Sequence, residues 1–251
     1  MLAKEINYPG LQVESLLGQI ERYARRIESR LRPTDDAIAK LRRSADILFD
    51  EEGFRGNVEN YYDPRNSFLN EVLQHRTGIP ITLSILFMAV TRRLGLASYG
   101  VGLPGHFLVG YDTPHHSLYL DAFNGGIVLD AAECHLLARH HLPSENTLPP
   151  DLLLPQAPRM VLLRLLNNLR QIYLYRDETQ QLLRVLHLQH SLLPEHLELK
   201  RDIGILQAQL RQWGPASRSL RHYLYINPEA EDHAAVREVL NEALTQLARC
   251  N

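Results

Sequence analysis

The chain has 251 residues, of which 45% are hydrophobic and 22% are charged, which is enough for a buried core in one large domain or two small ones. Its 27 basic and 29 acidic residues leave a net charge of −2, which gives no electrostatic case for a nucleic acid or a membrane surface as partner. Two distant cysteines, Cys134 and Cys250, exclude a disulfide framework, and the N-terminus has no apolar signal core, so we expect a cytoplasmic protein.

Two amphipathic helices are predicted at the start of the chain. Over residues 13–31, apolar side chains recur with the period of a helix and form one stripe. The stripe consists of Leu16, Leu17, Ile20, Tyr23, Ala24, Ile27 and Leu31. Residues 33–35 are expected to cap a second helix. Its side chains that face the core are predicted to be Ile38, Leu41, Ala45 and Leu48. Residues 53–67 are predicted to form a loop, and Ser67 to cap a helix that runs to residue 75.

A proline begins the most apolar helix of the chain. The sequence RTGIPITLSIL passes from a turn into Pro80, and a proline suits the first turn of a helix because its missing N–H is not needed there. The apolar run continues to Leu94, and Gly95 follows in the usual C-terminal position. We therefore predict a buried helix with two hydroxyl side chains, Thr82 and Ser84, near its start.

The period of the apolar residues changes to two after this helix. Residues 98–112 and 117–123 are each predicted to be a strand, and the polar turn DTPHHS separates them. A tight turn, NGG, follows the second strand, and a further helix is predicted over residues 129–140. This order places His106 on the first predicted strand and Asp121 on the second.

Five prolines lie between residues 143 and 158, and we place a linker and the domain boundary there. The first domain is predicted to span residues 1–150 and the second residues 159–251. The second domain is predicted to be entirely helical. Within it, Pro194 and Pro228 lie 34 residues apart, which is the period of the tetratricopeptide helix–turn–helix unit.

Two copies of that repeat can be aligned. The unit that ends at Pro228 matches well, and its matching positions are Ile203, Gly204, Ala216 and Leu220. The unit that ends at Pro194 has Arg170 where the repeat has a small glycine. It keeps the apolar positions Leu166, Leu169, Tyr173 and Leu186. With a final helix over residues 233–248, we expect about two repeats and a cap, fewer than the ~3 that usually stand alone.

The middle of the chain presents a helix start, a histidine and an aspartate in that order. A nucleophile at a helix N-terminus, followed by His and Asp on neighbouring strands, is the arrangement of transglutaminase-like and papain-like enzymes. The helix terminus lowers the pKa of a thiol, the histidine acts as general base, and the aspartate fixes its tautomer. His106 and Asp121 are therefore the candidate catalytic residues.

The segments around this pair resemble the bacterial SirB-like family. The motifs GIPI, GLPGHFLV and LDAFNGG carry the resemblance, which extends over nearly the whole chain. The resemblance implies an α+β, transglutaminase-like (papain-like) N-terminal domain with a helical N-terminal extension. It also implies an all-α, tetratricopeptide-like C-terminal array and a regulatory role in bacteria.

The chain differs from active members of the superfamily at the position of the nucleophile. An active transglutaminase-like core has Gly-x-Cys at the start of its core helix, and this chain has Gly78, Ile79 and Pro80 there. His106 and Asp121 match the two other members of the triad. Because proline cannot attack a substrate, an active enzyme would need a displaced nucleophile.

Three side chains are candidates for that displaced nucleophile. Thr82 points about 200° around the helix from Pro80, and Ser84 lies about 6 Å further along the helix axis on the same face. Cys134 lies on a later predicted helix, where a cysteine between apolar neighbours is typically a small buried hydrophobe.

Other polar residues near the pair could line a cleft. The cleft candidates are Pro80, Ser84, Asn66, Asn70, Glu71 and Asn124. The simpler interpretation of those before Pro80 is a surface loop. His115 and His116 could join the pair in a metal site, but adjacent histidines in a turn are typically exposed and no metal-binding helix spacing is present. We therefore predict neither a metal nor another cofactor.

Two functions remain open from the sequence. The first is a non-catalytic pseudoenzyme whose helical array acts as an interaction or regulatory module and binds a protein or peptide. The second is a hydrolase or acyl transferase that uses His106 and Asp121 with Ser84, Thr82 or Cys134. A ligand-binding or metal site built on the same histidine and aspartate is a third alternative.

Overall fold

The computed structural model describes residues 2–140, 148–149 and 151–249. The chain divides into two compact units, the first of Met1–Lys4 and Tyr8–Leu165 and the second of Glu5–Asn7 and Leu166–Asn251. Part of the predicted linker, together with His141 and Cys250, lies outside the described residues. No helix in the described part of the chain combines the length and the apolar character needed to cross a membrane.

Six helices and six strands are described before residue 141. The helices are α1 Leu2–Ile6, α2 Val13–Glu28, α3 Ala37–Ala45, α4 Leu69–His75, α5 Pro80–Arg93 and α6 Ala131–Arg139. The strands are β1 Arg55–Gly56, β2 Thr77–Gly78, β3 Tyr99–Leu103, β4 His106–Asp112, β5 Ser117–Asp121 and β6 Ile127–Leu129. A π-helical turn, Asp46–Glu51, continues α3, and a 3-10 turn, Pro64–Ser67, precedes α4.

The two N-terminal helices form as predicted, with two corrections. Ile20, Ala24 and Ile27 of α2 are buried, but Leu17 is 49% exposed, because the buried stripe of this helix is narrower than the apolar pattern. The cap of α3 is Asp36, whose carboxylate accepts from the backbone N–H of Ala39 at 2.7 Å. The predicted capping stretch 33–35 instead forms the preceding turn, where Asp35 accepts from the N–H of Arg32.

The predicted Ser67 cap is wrong. Ser67 ends the 3-10 turn, and the residue that caps α4 is Phe68, which makes no side-chain hydrogen bond to the helix. The Ser67 side chain is buried and its hydroxyl oxygen has no partner among the described residues. The packing of Phe68, which is 1% exposed, decides where this helix begins.

The apolar helix α5 begins at Pro80, as predicted. Thr82 completes its N-terminus, since its hydroxyl oxygen accepts from the N–H of Ile79 at 3.1 Å. The helix lies in the main core of the first unit, where Phe87 stacks on Phe49 with ring centroids 5.8 Å apart. Gly95 follows with φ +79°, a left-handed conformation that glycine adopts without steric cost.

The predicted first strand is two strands. Residues 98–112 fold into β3 and β4, which pair antiparallel with Leu103 opposite His106. The turn between them lies at Pro104 and Gly105, and Gly105 has φ +66°. The two-residue period of the apolar side chains continues across Pro104 and Gly105. The period alone therefore did not show that the chain reverses direction there.

The four strands β3 to β6 form one antiparallel sheet in chain order. β5 matches its prediction, and the NGG turn leads into β6, which pairs with β5 and was missed because its residues are largely exposed. α6 follows where a helix was predicted, with a capping box between Asp130 and Glu133. A separate parallel pair joins β1 to β2, with Arg55 opposite Thr77.

The second unit is helical, as predicted. Its helices are α7 Pro158–Tyr175, α8 Thr179–Leu192, α9 Leu197–Gln209, α10 Trp213–Ile226 and α11 His233–Arg249. The first residues of α7, up to Leu165, belong to the first unit. The apolar positions expected from the repeat are buried, and they include Leu166, Leu169, Tyr173, Leu186, Ile203, Ala216 and Leu220.

One glycine in α2 offers a direct test of helix propensity. A Cβ placed on Gly18 meets no atom within 4 Å. We expect Gly18→Ala to raise the free energy of unfolding by about 0.5–1 kcal/mol, because alanine loses less backbone entropy in a helix. Urea denaturation measures this change. Gly100→Ala is the contrasting variant and should destabilise, since its Cβ would lie 2.6 Å from the Phe107 ring.

Candidate active site

His106 and Asp121 meet in the structure. His106 is the first residue of β4 and Asp121 the last of β5, and these two ends lie side by side in the antiparallel sheet. Nε2 of His106 lies 2.8 Å from Oδ2 of Asp121. The two residues are 7% and 1% exposed, so the pair is shielded from water. The chain therefore holds a buried histidine–carboxylate pair of the kind that orients an imidazole.

The Asp121 carboxylate is surrounded by donors. Oδ1 accepts from the backbone N–H groups of Phe123 and Asn124, at 3.0 and 3.2 Å. Oδ2 accepts from the Asn124 side-chain amide at 2.8 Å, in addition to His106. Burial by itself raises the pKa of Asp121, but the hydrogen bonds from His106 and Asn124 and the charge of His106 outweigh it and lower that pKa. The carboxylate is thus held ionised, and Asn124 belongs to this site.

Arg164 forms hydrogen bonds to the backbone at the start of β4. No pattern in the sequence predicted this role. Its Nη2 donates to the carbonyl oxygens of Leu103 and His106, at 2.5 and 2.6 Å. Its guanidinium carbon also lies 5.8 Å from the centre of the Phe107 ring. Burial lowers the pKa of Arg164. This side chain closes the β3–β4 turn and fixes the backbone of His106 from a helix 58 residues away in the chain.

Aromatic rings stand beside the pair. Phe123 meets His106 edge to face with ring centroids 6.1 Å apart, and Tyr61 meets Phe123 at 6.0 Å. A Cβ on Gly56 would lie 2.5 Å from the Phe123 ring, so β1 passes close behind that ring only because residue 56 is a glycine. Burial raises the pKa of the Tyr61 phenol. These rings form an apolar wall next to the imidazole.

The two hydroxyls of α5 are used within the fold. Thr82 donates to the carbonyl oxygen of Asn66 at 2.7 Å, with the carbonyl oxygen of Ile79 as a second acceptor at 3.1 Å. Ser84 donates to the carbonyl oxygen of Phe107 at 3.3 Å. Each hydroxyl has one hydrogen to donate, and in both residues it is donated in a hydrogen bond to a backbone carbonyl oxygen. Ser84 thus lies against the residue that follows His106.

Cys134 lies in a separate apolar cluster. It is fully buried on α6, packed among residues of the sheet and α6 that include Val101, Leu108 and Tyr119. Burial, followed by the charges of Asp130, Glu133 and Asp121, raises the pKa of the Cys134 thiol to about 12. A thiol in this environment is protonated at neutral pH.

The cleft candidates before Pro80 form their own network. Asn66 supports the loop, since its side-chain amide donates to the carbonyl oxygens of Asn60 and Tyr61 and its oxygen accepts from Asn57. Asn70 donates to Glu71 at 3.2 Å. Glu71 also meets His75 at 3.3 Å and lines a polar pocket with it. Within the part of the chain that the structure describes, neither Asn70 nor Glu71 hydrogen-bonds the histidine–aspartate pair. His115 and His116 lie in an exposed turn.

Two family descriptions match the chain in succession. A description of the transglutaminase-like superfamily matches residues 14–167, and a description of the tetratricopeptide repeat matches residues 169–241. The first therefore includes the histidine–aspartate pair, Pro80 and Arg164. The second includes the whole of α8, α9 and α10, the last part of α7 and the first part of α11. The fold is thus α+β and transglutaminase-like, followed by a tetratricopeptide-like array.

Curated bacterial relatives match over most of the chain, and a human relative matches a shorter part of it. A "UPF0162 protein" of Xylella fastidiosa strain Temecula1 is 34% identical over 242 residues, which covers 94% of this chain and 85% of that protein. A "UPF0162 protein" of Vibrio cholerae is 30% identical over 211 residues, covering 84% and 77%. Human "F-box only protein 21" is 35% identical over 104 residues, 38% of this chain and 17% of that protein. No solved structure gives a significant match.

Proposed function

The chain belongs to the transglutaminase-like superfamily and to the bacterial proteins named UPF0162, and from this membership we propose that it is a non-catalytic interaction protein. One observation carries the proposal: Pro80 stands at the first turn of α5, where an active transglutaminase-like domain has its cysteine. The catalytic scaffold is kept, and the group that would attack a substrate is replaced by a residue without a reactive atom. The tetratricopeptide region supplies the interaction surface.

The three displaced nucleophiles have weak support. A hydroxyl needs a base within about 2.6–3.2 Å to lose its proton. Thr82 and Ser84 each direct their proton to a backbone carbonyl. A pKa of about 12 keeps the Cys134 thiol protonated. These contacts favour the non-catalytic function over a hydrolase or acyl transferase.

The retained pair has a structural role in this proposal. Asp121 links the end of β5 to the following turn through two backbone N–H groups, and His106 joins it to the start of β4. Four hydrogen bonds to one buried carboxylate give a rigid corner at this edge of the sheet. We propose that this corner shapes the surface of the domain and transfers no proton to a substrate.

The catalytic status is tested with a small ester. We expect wild-type protein and His106→Ala to hydrolyse p-nitrophenyl acetate at the same rate per molecule, measured from nitrophenolate absorbance at pH 8. General-base catalysis contributes about 10²–10⁴-fold. A fall of that size in His106→Ala, with the fold retained by circular dichroism, would establish the enzyme instead.

The assignment of Pro80 to the nucleophile position predicts a specific rescue. In Pro80→Cys, made in a Cys250→Ser background, we expect a thiol with an apparent pKa below about 7.5, against about 8.5 for an ordinary cysteine. The helix N-terminus favours a thiolate, and so does the histidine of the triad that this assignment implies. Thiolate absorbance at 240 nm, followed as a function of pH, measures it.

The control for this rescue is Ser84→Cys, one helical turn further along α5. Its thiol should keep a raised pKa, because Ser84 is buried like Pro80 but lies one turn beyond the helix N-terminus, whose effect is confined to the first turn. Adding His106→Ala should raise the thiol pKa of the Pro80→Cys protein and leave that of Ser84→Cys unchanged. If His106→Ala has no effect on the first thiol, position 80 is not the nucleophile position.

The proposal also includes the family assignment, the domain limits, the location and the role of the protein. They are the SirB-like assignment, the domain limits 1–150 and 159–251, a cytoplasmic location, and a regulatory role in bacteria. A protein or peptide is the proposed partner, bound by the tetratricopeptide face.

A further inference from the structure

Arg164 is a partly buried cation of the first unit that has no ionic partner among the described residues. Its Nη2 donates to the carbonyl oxygens of Leu103 and His106, and its guanidinium lies over the Phe107 ring. No carboxylate of the described part of the chain acts on its charge. Charges away from water are normally paired, because an uncompensated one costs free energy. The missing anion is therefore one that a ligand can supply.

The Arg164 guanidinium also keeps unused hydrogen-bond donors. Of its five N–H bonds, the two on Nη2 donate to backbone carbonyl oxygens. Those on Nε and Nη1 have no acceptor among the residues that the structure describes. Neither nitrogen is one of the fully buried side-chain atoms that lack a partner, so both keep surface that a ligand can reach. Arg164 thus offers donors as well as a positive charge.

Two neutral side chains lie near this guanidinium. A Cβ on Gly102 would lie 2.9 Å from Nη1 of Arg164 and 2.5 Å from Nε2 of Gln156, so both side chains end over this glycine. The backbone N–H of Gln156 donates to the carbonyl oxygen of Gly100 at 2.8 Å, which fixes its position. The Tyr61 phenol is within electrostatic range, because burial raises its pKa and the charge of Arg164 opposes that rise. Within the described part of the chain, neither the Tyr61 hydroxyl nor the Gln156 side-chain amide forms a hydrogen bond.

The charge of this group of residues matches a singly charged anion. Burial lowers the pKa of Arg164, and a bound anion would offset that effect. A carboxylate brings one negative charge and two acceptor oxygens, which suits one guanidinium and one phenol. A doubly charged phosphate would leave one negative charge unbalanced in a partly buried site. The Tyr61 and Phe123 rings, 6.0 Å apart, add apolar surface beside the donors.

We propose that Arg164 and Tyr61 bind a carboxylate attached to an aromatic group, with the free N–H groups of Arg164 and the Tyr61 hydroxyl donating to its oxygens. Gln156 adds a donor beside the guanidinium, and the Tyr61 and Phe123 rings contact the aromatic group. This inference goes beyond the proposed interaction function, because it assigns a ligand to the transglutaminase-like domain and uses no residue of the tetratricopeptide region.

The experiment titrates the full chain with sodium phenylacetate at pH 7 and measures affinity by isothermal titration calorimetry. The neutral phenylacetamide should bind at least tenfold more weakly, because hydrogen bonds to an ionised acceptor are the stronger ones. Tyr61→Phe keeps the ring and removes the hydroxyl, and we expect it to weaken phenylacetate binding about tenfold. Tyr111→Phe, the same change near the other end of β4, is the matched control and should bind like wild type.

A second variant removes the charge. Arg164→Gln should abolish the preference for phenylacetate over phenylacetamide, with the fold checked by circular dichroism. If that variant does not fold, the comparison of Tyr61→Phe with Tyr111→Phe decides the proposal, because neither change removes a ring. Titration with N-acetylphenylalanine then distinguishes two sources of the same chemistry. Tighter binding than phenylacetate identifies the C-terminal residue of a peptide, and weaker binding identifies a free aromatic acid, with either result supporting the site.

Four results would overturn the proposal. They are no binding of phenylacetate, equal affinity for the acid and the amide, equal affinity of Tyr61→Phe and Tyr111→Phe for the acid, and tighter binding of inorganic phosphate than of phenylacetate. Each of them leaves the interaction function intact, since that function depends on the tetratricopeptide region. His106-dependent ester hydrolysis would overturn the proposed function and leave the carboxylate site standing.

Discussion

Asp121→Ala is expected to lower the free energy of unfolding by about 3–5 kcal/mol. Asp121 is 1% exposed and accepts from His106, Asn124 and the backbone N–H of Phe123. Removing the carboxylate leaves these buried donors without an acceptor, and each unsatisfied donor costs free energy. Urea denaturation followed by circular dichroism measures the loss.

The control for this prediction is Asp112→Ala at the other end of β4. Asp112 also accepts hydrogen bonds, from Tyr99 and Ser117, but it is exposed. We expect it to cost no more than about 1 kcal/mol, since water replaces the lost acceptor. Equal losses in the two variants would show that the buried pair at Asp121 has no special role in stability.

The pair also predicts how stability depends on pH. The pKa of Asp121 is lower in the folded chain than its ordinary value, so folding favours the ionised carboxylate. The stabilisation from Asp121 is fully present above the unfolded pKa of about 3.9 and is lost as the pH falls through the lower, folded pKa. The difference in unfolding free energy between wild type and Asp121→Asn should therefore shrink in acid. A difference that grows below pH 4 would contradict the sign of this shift.

Gly204→Val is expected to destabilise the second unit by about 1–3 kcal/mol. Gly204 lies in α9 against α10, and a Cβ there would lie 2.6 Å from Cδ2 and 2.7 Å from Cγ of Leu220. Because Leu220 is fully buried, its side chain has no free space into which it can move. Thermal unfolding followed at 222 nm measures the effect.

Gly214→Val, in α10, is the matched control for this substitution. Among the described residues, and apart from the backbone of its own helix, the group that its Cβ would meet within 4 Å is the Arg218 guanidinium at 3.6 Å, an ordinary contact with a flexible side chain. Both variants exchange the same residues in a helix, so their difference reports the contact with Leu220. If the two variants unfold at the same temperature, close packing at Gly204 does not hold α9 against α10.

Much of the fold follows from local patterns in the sequence. The helical period of residues 13–31 and the proline at the start of α5 each predicted an element that the structure contains. The 34-residue spacing of Pro194 and Pro228 predicted the repeat, and the matching glycine proved to be a close helix contact. These features are local because a helix face or a first turn depends on residues only a few positions apart.

Other features depended on packing that no short window contains. The reversal at Gly105 is hidden by an alternation that continues on both sides of it, and the cap of α4 is set by the burial of Phe68. The exposure of Leu17 depends on how much of α2 the core covers. In each case, packing against residues far away in the chain selects one of several conformations that the local sequence allows.

The sequence by itself determined the residue types of the site: a proline at the start of α5, and a histidine and an aspartate on consecutive predicted strands. Only the tertiary structure decided how they meet, with a 2.8 Å contact between His106 and Asp121 and with Arg164 on the backbone of His106. The physical reason is that hydrogen bonding and burial depend on distances between atoms, and residues far apart in the chain come within those distances only when the whole unit packs.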